Sequence, residues 1–276
     1  MRLLLAILAG IGLLPLSGFS AEAPSFVKNQ TEFKTGQVIA ISEMSFDPTT
    51  LFFEAGTGSR FGHIGIVVVE GGKTYVYESN PPAVQRTSLA AFLKRSLVLK
   101  RHMATVLEPV VPLTLAEQTA LTNSVRASVA AGIPYNFSMV LNEGAVNCSE
   151  FVYKTFLGIG RDGFGQVETM AEMNLNSMSG YLLQLWSMSG EPPDAEDKVL
   201  TPVSIVNSKK LTVIASNLPV NQLISDQEIL RAWIDGGGIA KLGALLDVDG
   251  FERTCEVLLG SVSTKPYRAY PKSWRK

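Results

Sequence analysis

The run FGHIGIVVV, residues 61–69, decides the fold. Its β-branched residues read as a buried strand, and TYVYES, residues 74–79, reads as a second. Gly71-Gly72, flanked by these runs, signals a tight hairpin. A turn there places Glu70 opposite Lys73, Val69 opposite Thr74, Val67 opposite Val76 and Gly65 opposite Glu78. Side chains alternate between faces, so His63, Gly65, Val67 and Val69 share one face. Glu78 lies on that face too, diagonal to His63. Diagonal neighbours sit roughly 7–8 Å apart at Cα, a gap long side chains can span. Gly65 leaves the space between them open, which clears a path for Glu78 to the imidazole. A slip of one residue would send Glu78 to the opposite face, so this expectation is sharp.

The chain has two histidines, so the placement of His63 needs a reason. A carboxylate holding one ring nitrogen fixes the tautomer and leaves the other nitrogen as a base. The matching nucleophile is Cys148. It opens CSEFVYKTFLGIG, residues 148–160, where Phe151, Val152, Thr155, Phe156 and Ile159 share a helical face. Unpaired N–H groups and the dipole at a helix start stabilise a thiolate, and an imidazolium nearby would do so further. The Cys148 N–H could also serve a tetrahedral intermediate. Singly, a strand-end histidine or a helix-start cysteine is more often a packing residue. The combination is what points to catalysis.

Composition narrows the alternatives. The 276 residues are 46% hydrophobic and 18% charged, enough for one sizeable core or a core with a small appendage. A net charge of −1, without a basic run, gives no sign of nucleic acid or anionic lipid. Residues 1–20 pair one Arg with an apolar run from Leu3 to Leu16, then small residues up to Ser20. That is too short for a good membrane span and reads as a cleaved secretory signal peptide. The mature protein is expected to be periplasmic or secreted. No Cys follows, which argues against a lipid anchor. Cys148 and Cys255 could pair in an oxidising compartment, but Cys255 in FERTCEVLL reads as a helix-face core residue.

Around the hairpin, GQVIAIS predicts a first strand after Gly36, and DPTTLFFEAGTGSRFG a turn leading into a Gly-rich loop. SLAAFLKRS predicts a short helix and LVLKRHM a strand, with His102 structural. LTLAEQTALTNSVRASVAAG predicts a helix with Thr114 as N-cap, Glu117 closing a capping box and Gly132 past its end. IPYNFSMVLNEGAVN reads as irregular, SGEPPDAEDK as a surface loop, and LTPVSIVNSKKLTVIAS as a return to the core with one more strand. After about residue 217 the texture becomes helix-like and broken by DGGG and DVDG. DVDG lacks the further ligands of a calcium loop. The expected division is a signal peptide at 1–20, a main domain at 21–216 and a helical C-terminal extension at 217–276.

HIGIVV, YVYES, GIPYNF and NCSEFVYKTF, in that order, together resemble the YiiX/YebB-like permuted papain-fold cysteine hydrolases, relatives of the NlpC-type cell-wall amidases. LTPVSIVNSKKLT resembles that family's closing segment, and the likeness spans roughly residues 33–217. The resemblance implies an α+β, circularly permuted papain-like fold: an antiparallel sheet, with the nucleophile at a helix N-terminus. The order His, Glu, Cys reverses that of papain. Carried over, Cys148 is the nucleophile, His63 the general base and Glu78 the residue that orients it. Tyr135 stands where the family has an aromatic near the substrate groove, though it also reads as a packing tyrosine. Gly62 departs from the serine often found before the histidine.

The implied chemistry is acyl transfer through a Cys148 thioester, needing no metal and no organic cofactor. The substrate would be a peptide, a peptidoglycan fragment or a related amide. Two alternatives stay open. One is a lipid-directed hydrolase or acyltransferase, as in permuted relatives such as lecithin:retinol acyltransferase. The other is a non-catalytic lipid- or peptide-binding module on the same fold, which a disulfide or a fully buried Cys148 would favour.

Overall fold

The computed structural model describes residues 32–42, 57, 59, 61–98, 101–102, 104–138, 140–141, 143–172 and 194–216. The expected signal peptide, the Gly-rich loop's approach over 43–56, Cys255 and the extension at 217–276 lie outside the described residues.

The hairpin forms as its sequence dictates. Strand β2 (His63–Glu70) and strand β3 (Lys73–Asn80) pair antiparallel, with Glu70 opposite Lys73, Val69 opposite Thr74 and Val67 opposite Val76. Gly71 and Gly72 turn the chain at φ +56° and +73°, backbone angles that suit glycine and match the twist of a two-residue hairpin. Strand β1 (Val38–Ile41) flanks β2, with Ile41 opposite His63. Beyond β3 comes β4 (Ala83–Ser88). On the other side of β1 lie β7 (Ala104–Pro109) and then β10 (Leu211–Ser216). The six strands run in the order β10-β7-β1-β2-β3-β4, with every adjacent pair antiparallel.

Sequence reading placed one strand over 97–103. The structure instead has two short strands there, β5 (Leu97–Val98) and β6 (Arg101–His102), paired with each other outside the main sheet. The strand that enters the sheet is β7, whose ATVLEP is almost wholly buried. Strand β4 was also not expected. Its AVQRTS is polar because it is an edge strand with alternate residues exposed.

Helix α1 (Leu89–Arg95) is capped by Ser88, whose hydroxyl accepts from Ala91 N–H. Helix α2 (Leu115–Ala130) has the expected capping box between Thr114 and Glu117, and Gly132 follows at φ +60°. Helix α3 (Cys148–Gly158) buries Phe151, Val152, Thr155 and Phe156 along the predicted face. A short pair, β8 (Glu168–Thr169) with β9 (Lys198–Val199), a 3-10 turn (Met170–Glu172) and helix α4 (Pro202–Val206) complete the described elements. Among the described residues no helix is long and apolar enough to cross a membrane.

Alternation along the strands makes two core layers. Ile39, Ile41, Val67 and Val76 pack with Phe92 and Leu93 of α1. Val38, Ala40, Ile64, Ile66, Val68 and Tyr77 pack on the other face, with Cys148, Phe151, Val152 and Phe156 of α3.

Candidate active site

His63 and Glu78 meet as the register requires. His63 Nε2 lies 2.6 Å from Glu78 Oε2, and the two residues are 4% and 0% exposed. A buried carboxylate must be paired on every side, because an unsatisfied charge in a low dielectric is costly. Glu78 meets that condition. Thr87, on β4, donates to Oε1 at 2.5 Å, and the Arg95 guanidinium, from the last turn of α1, holds Oε2 alongside His63. Burial pushes the Glu78 pKa up. The hydrogen bond and charge of His63, with the charge and hydrogen bond of Arg95, outweigh it and hold the carboxyl at about 2. Phe92 walls the pair, its ring 5.7 Å from the imidazole and 5.1 Å from the Arg95 guanidinium carbon.

Gly65, between His63 and the opposite strand, lets β2 and β3 pack closely there. A Cβ there would stand 2.5 Å from Val76 Cγ1, 3.0 Å from the Tyr77 carbonyl oxygen and 3.4 Å from Glu78 Cβ. The side chain of Val76 would have to move, and the strand backbone beside it could not follow. Gly65→Ala is therefore expected to lose about 1–3 kcal/mol by overpacking, measured as a lower urea midpoint at unchanged slope.

Cys148 is the first residue of α3, 1% exposed, and its thiol is free. Its sulfur has Ser149 Oγ at 3.9 Å. Helix α3 packs against β2 and β3, the strands that carry His63 and Glu78. By alternation His63 and Glu78 belong to the α1 layer, while Cys148 belongs to the α3 layer. His63 is the first residue of β2 and Cys148 the first of α3.

The start of α3 is fixed by Asn147. Its side-chain oxygen accepts from the N–H groups of Ser149 and Glu150 at 3.0 and 2.9 Å. The buried Glu150 returns the favour, accepting from Asn147 N–H at 2.8 Å and from Asn136 Nδ2 at 2.9 Å. Ser79 Oγ, on β3, donates to the Val146 carbonyl at 2.6 Å and ties this entrance to the hairpin. Tyr135 reaches the same region through a bridge to Val146. It is buried and meets Phe137 edge to face at 4.9 Å, so the exposed aromatic beside this segment is Phe137.

Sequence reading named His63, Glu78, Cys148 and Tyr135 but missed Arg95, Thr87 and the Asn147–Glu150 box. The box was visible as Asn followed three residues later by Glu ahead of an apolar helix. A cavity of about 420 Å³ lined by Val110, Arg161, Phe164 and Lys209 shares no residue with this site.

Similarity to known proteins agrees with this architecture. Residues 32–215 match the family described as permuted papain-like amidase enzymes, YaeF/YiiX, C92. The uncharacterized protein YiiX of Escherichia coli (strain K12) is 24% identical over 191 residues, 68% of this chain and 88% of that protein. The crystal structure of YiiX from Escherichia coli O157:H7, described as a metalloprotein, is 22% identical at a TM-score of 0.58. That likeness covers 67% of this chain and 98% of the other, and speaks to the fold. With its antiparallel sheet, its helices and a match over residues 32–215, the chain belongs to the permuted papain-like amidase family YaeF/YiiX, C92.

Proposed function

We propose that this protein hydrolyses an amide bond through a thioester on Cys148, with His63 as general base and Glu78 as its orienting carboxylate. The observation that carries the reading is the buried His63–Glu78 contact at 2.6 Å, which engages Nε2 and turns Nδ1 to the proton chemistry. His63 takes the thiol proton, and the sulfur attacks the carbonyl carbon. The tetrahedral intermediate collapses as the C–N bond breaks, and His63 passes the proton to the leaving amine. Water, deprotonated in turn by His63, releases the acid and restores the thiol. The start of α3 supports the thiolate through its dipole, and the Cys148 N–H, unused by the Asn147 cap, supports the oxyanion. The reading includes export by the leader at 1–20, action in the periplasm or outside the cell, and a peptide, peptidoglycan fragment or acyl-lipid amide as substrate.

A metal does not fit at His63–Glu78. Both carboxylate oxygens are taken, and the Arg95 guanidinium occupies the position a cation would need. No group of three His, Cys, Asp or Glu side chains converges elsewhere among the described residues.

A second reading, a non-catalytic binding module on the same fold, is favoured by the burial of Cys148. The rate of iodoacetamide alkylation against pH, in wild type and His63→Ala, separates the two. The hydrolase is expected to alkylate at Cys148 well below the free-thiol pKa of about 8.5 and to lose that reactivity with His63. An inert thiol at every pH points to the binding module.

A further inference from the structure

We propose that Asn147 is a second oxyanion donor, its side-chain Nδ2 acting with the Cys148 N–H on the charge that forms at the substrate carbonyl. The inference rests on Cys148 being the nucleophile. Asn147 is fully buried. Its Oδ1 accepts from Ser149 and Glu150 N–H, which fixes the amide and leaves no freedom to exchange oxygen and nitrogen. Nδ2 is then a buried donor without an acceptor. The polar groups around it are all matched: Asn147 N–H on Glu150, Asn136 Nδ2 on Val140 and Glu150, and Ser79 on Val146. An orphan in so well paired a setting needs a reason.

Helix capping does not supply that reason. Serine or threonine would cap α3 about as well and leave no orphan. Aspartate would cap as well but would set a second carboxylate beside the buried Glu150. Only asparagine both caps and keeps a fixed N–H pair. The capping oxygen uses the N–H groups of Ser149 and Glu150, so the Cys148 N–H also has no acceptor among the described residues. Two donors without acceptors thus belong to consecutive residues, Asn147 and Cys148, at the end of the helix that favours negative charge. Preorganised donors of this kind sacrifice ground-state stability for binding of the transition state.

The test compares two reactions of one thiol in wild type, Asn147→Ser and Asn147→Thr. In the first, the thiolate attacks p-nitrophenyl acetate. The C–S bond forms, the carbonyl pair moves onto oxygen, and collapse expels p-nitrophenolate, leaving acetyl-Cys148. In the second, the thiolate displaces iodide from iodoacetamide at a saturated carbon, and no oxyanion forms. Both variants are expected to acylate about 10²–10³ times more slowly, to alkylate near the wild-type rate, and to melt at or above the wild-type temperature. Unchanged acylation overturns the assignment. So does an equal fall in both reactions, which would mean a displaced thiol, or a lower melting temperature with both rates kept. Threonine serves if the serine variant does not fold. A wild-type protein that neither acylates nor alkylates at Cys148 removes the hydrolase reading, and this assignment with it.

Discussion

Glu78→Gln is expected to destabilise the protein by about 3–5 kcal/mol, the range for breaking a buried ion pair from one side. His63 and Arg95 both lean on Oε2, and a neutral amide cannot satisfy the two there as a carboxylate does. The fall should be visible as a drop in Tm on the order of 10 °C. Its pH dependence is the sharper readout. The folded carboxyl sits at about 2 against an ordinary 4.5. A depressed pKa contributes stability that is fully present above about pH 4.5 and is lost as pH falls toward 2. At neutral pH that contribution amounts to about 3 kcal/mol. Wild-type stability should therefore decline steeply through this window, and the Gln variant should decline less. Parallel acid profiles would mean that Glu78 carries no such load.

The largest effect on activity is expected at the thiol. Cys148→Ala should lower turnover of p-nitrophenyl acetate by on the order of 10⁴ or more, and His63→Ala should lose nearly as much. The double variant should be no worse than either single one, because residues acting as a unit do not add. Cys148→Ala should keep the wild-type fold by circular dichroism. His63→Ala leaves Glu78 with Thr87 and Arg95, so the carboxylate stays paired and the fold should persist with reduced stability. Full activity in a folded Cys148→Ala variant would eliminate the thioester mechanism.

The hairpin and its dyad were legible because several local signals agree. Gly71-Gly72 fixes the turn and one face is buried, so the register that carries Glu78 to the face of His63 follows. Helices α2 and α3 were legible for the same reason, as caps and periodicity coincide. Strand β4 hid because an edge strand can afford Gln85 and Arg86, and with it went Thr87 and the route to Arg95. Strand β7 hid behind LVLKRHM, a more apolar-looking neighbour that forms only a two-residue pairing at each end. The placement of Cys148 relative to His63 was the least legible. It depends on how the sheet and α3 end in space, which neither alternation nor helical period encodes.

The 15-residue separation of His63 and Glu78 also bears on how the site is assembled. A β-hairpin closes in about 1–10 μs, because little chain entropy opposes so short a loop. Glu78 and His63 are therefore brought together by local hairpin pairing. Cys148 lies far along the chain and reaches the same strands only through long-range packing, the slow part of folding. On the proposed reading, the base and its carboxylate lie within one hairpin while the nucleophile is joined to it only by long-range packing. The reactive combination arises only once the global topology is in place.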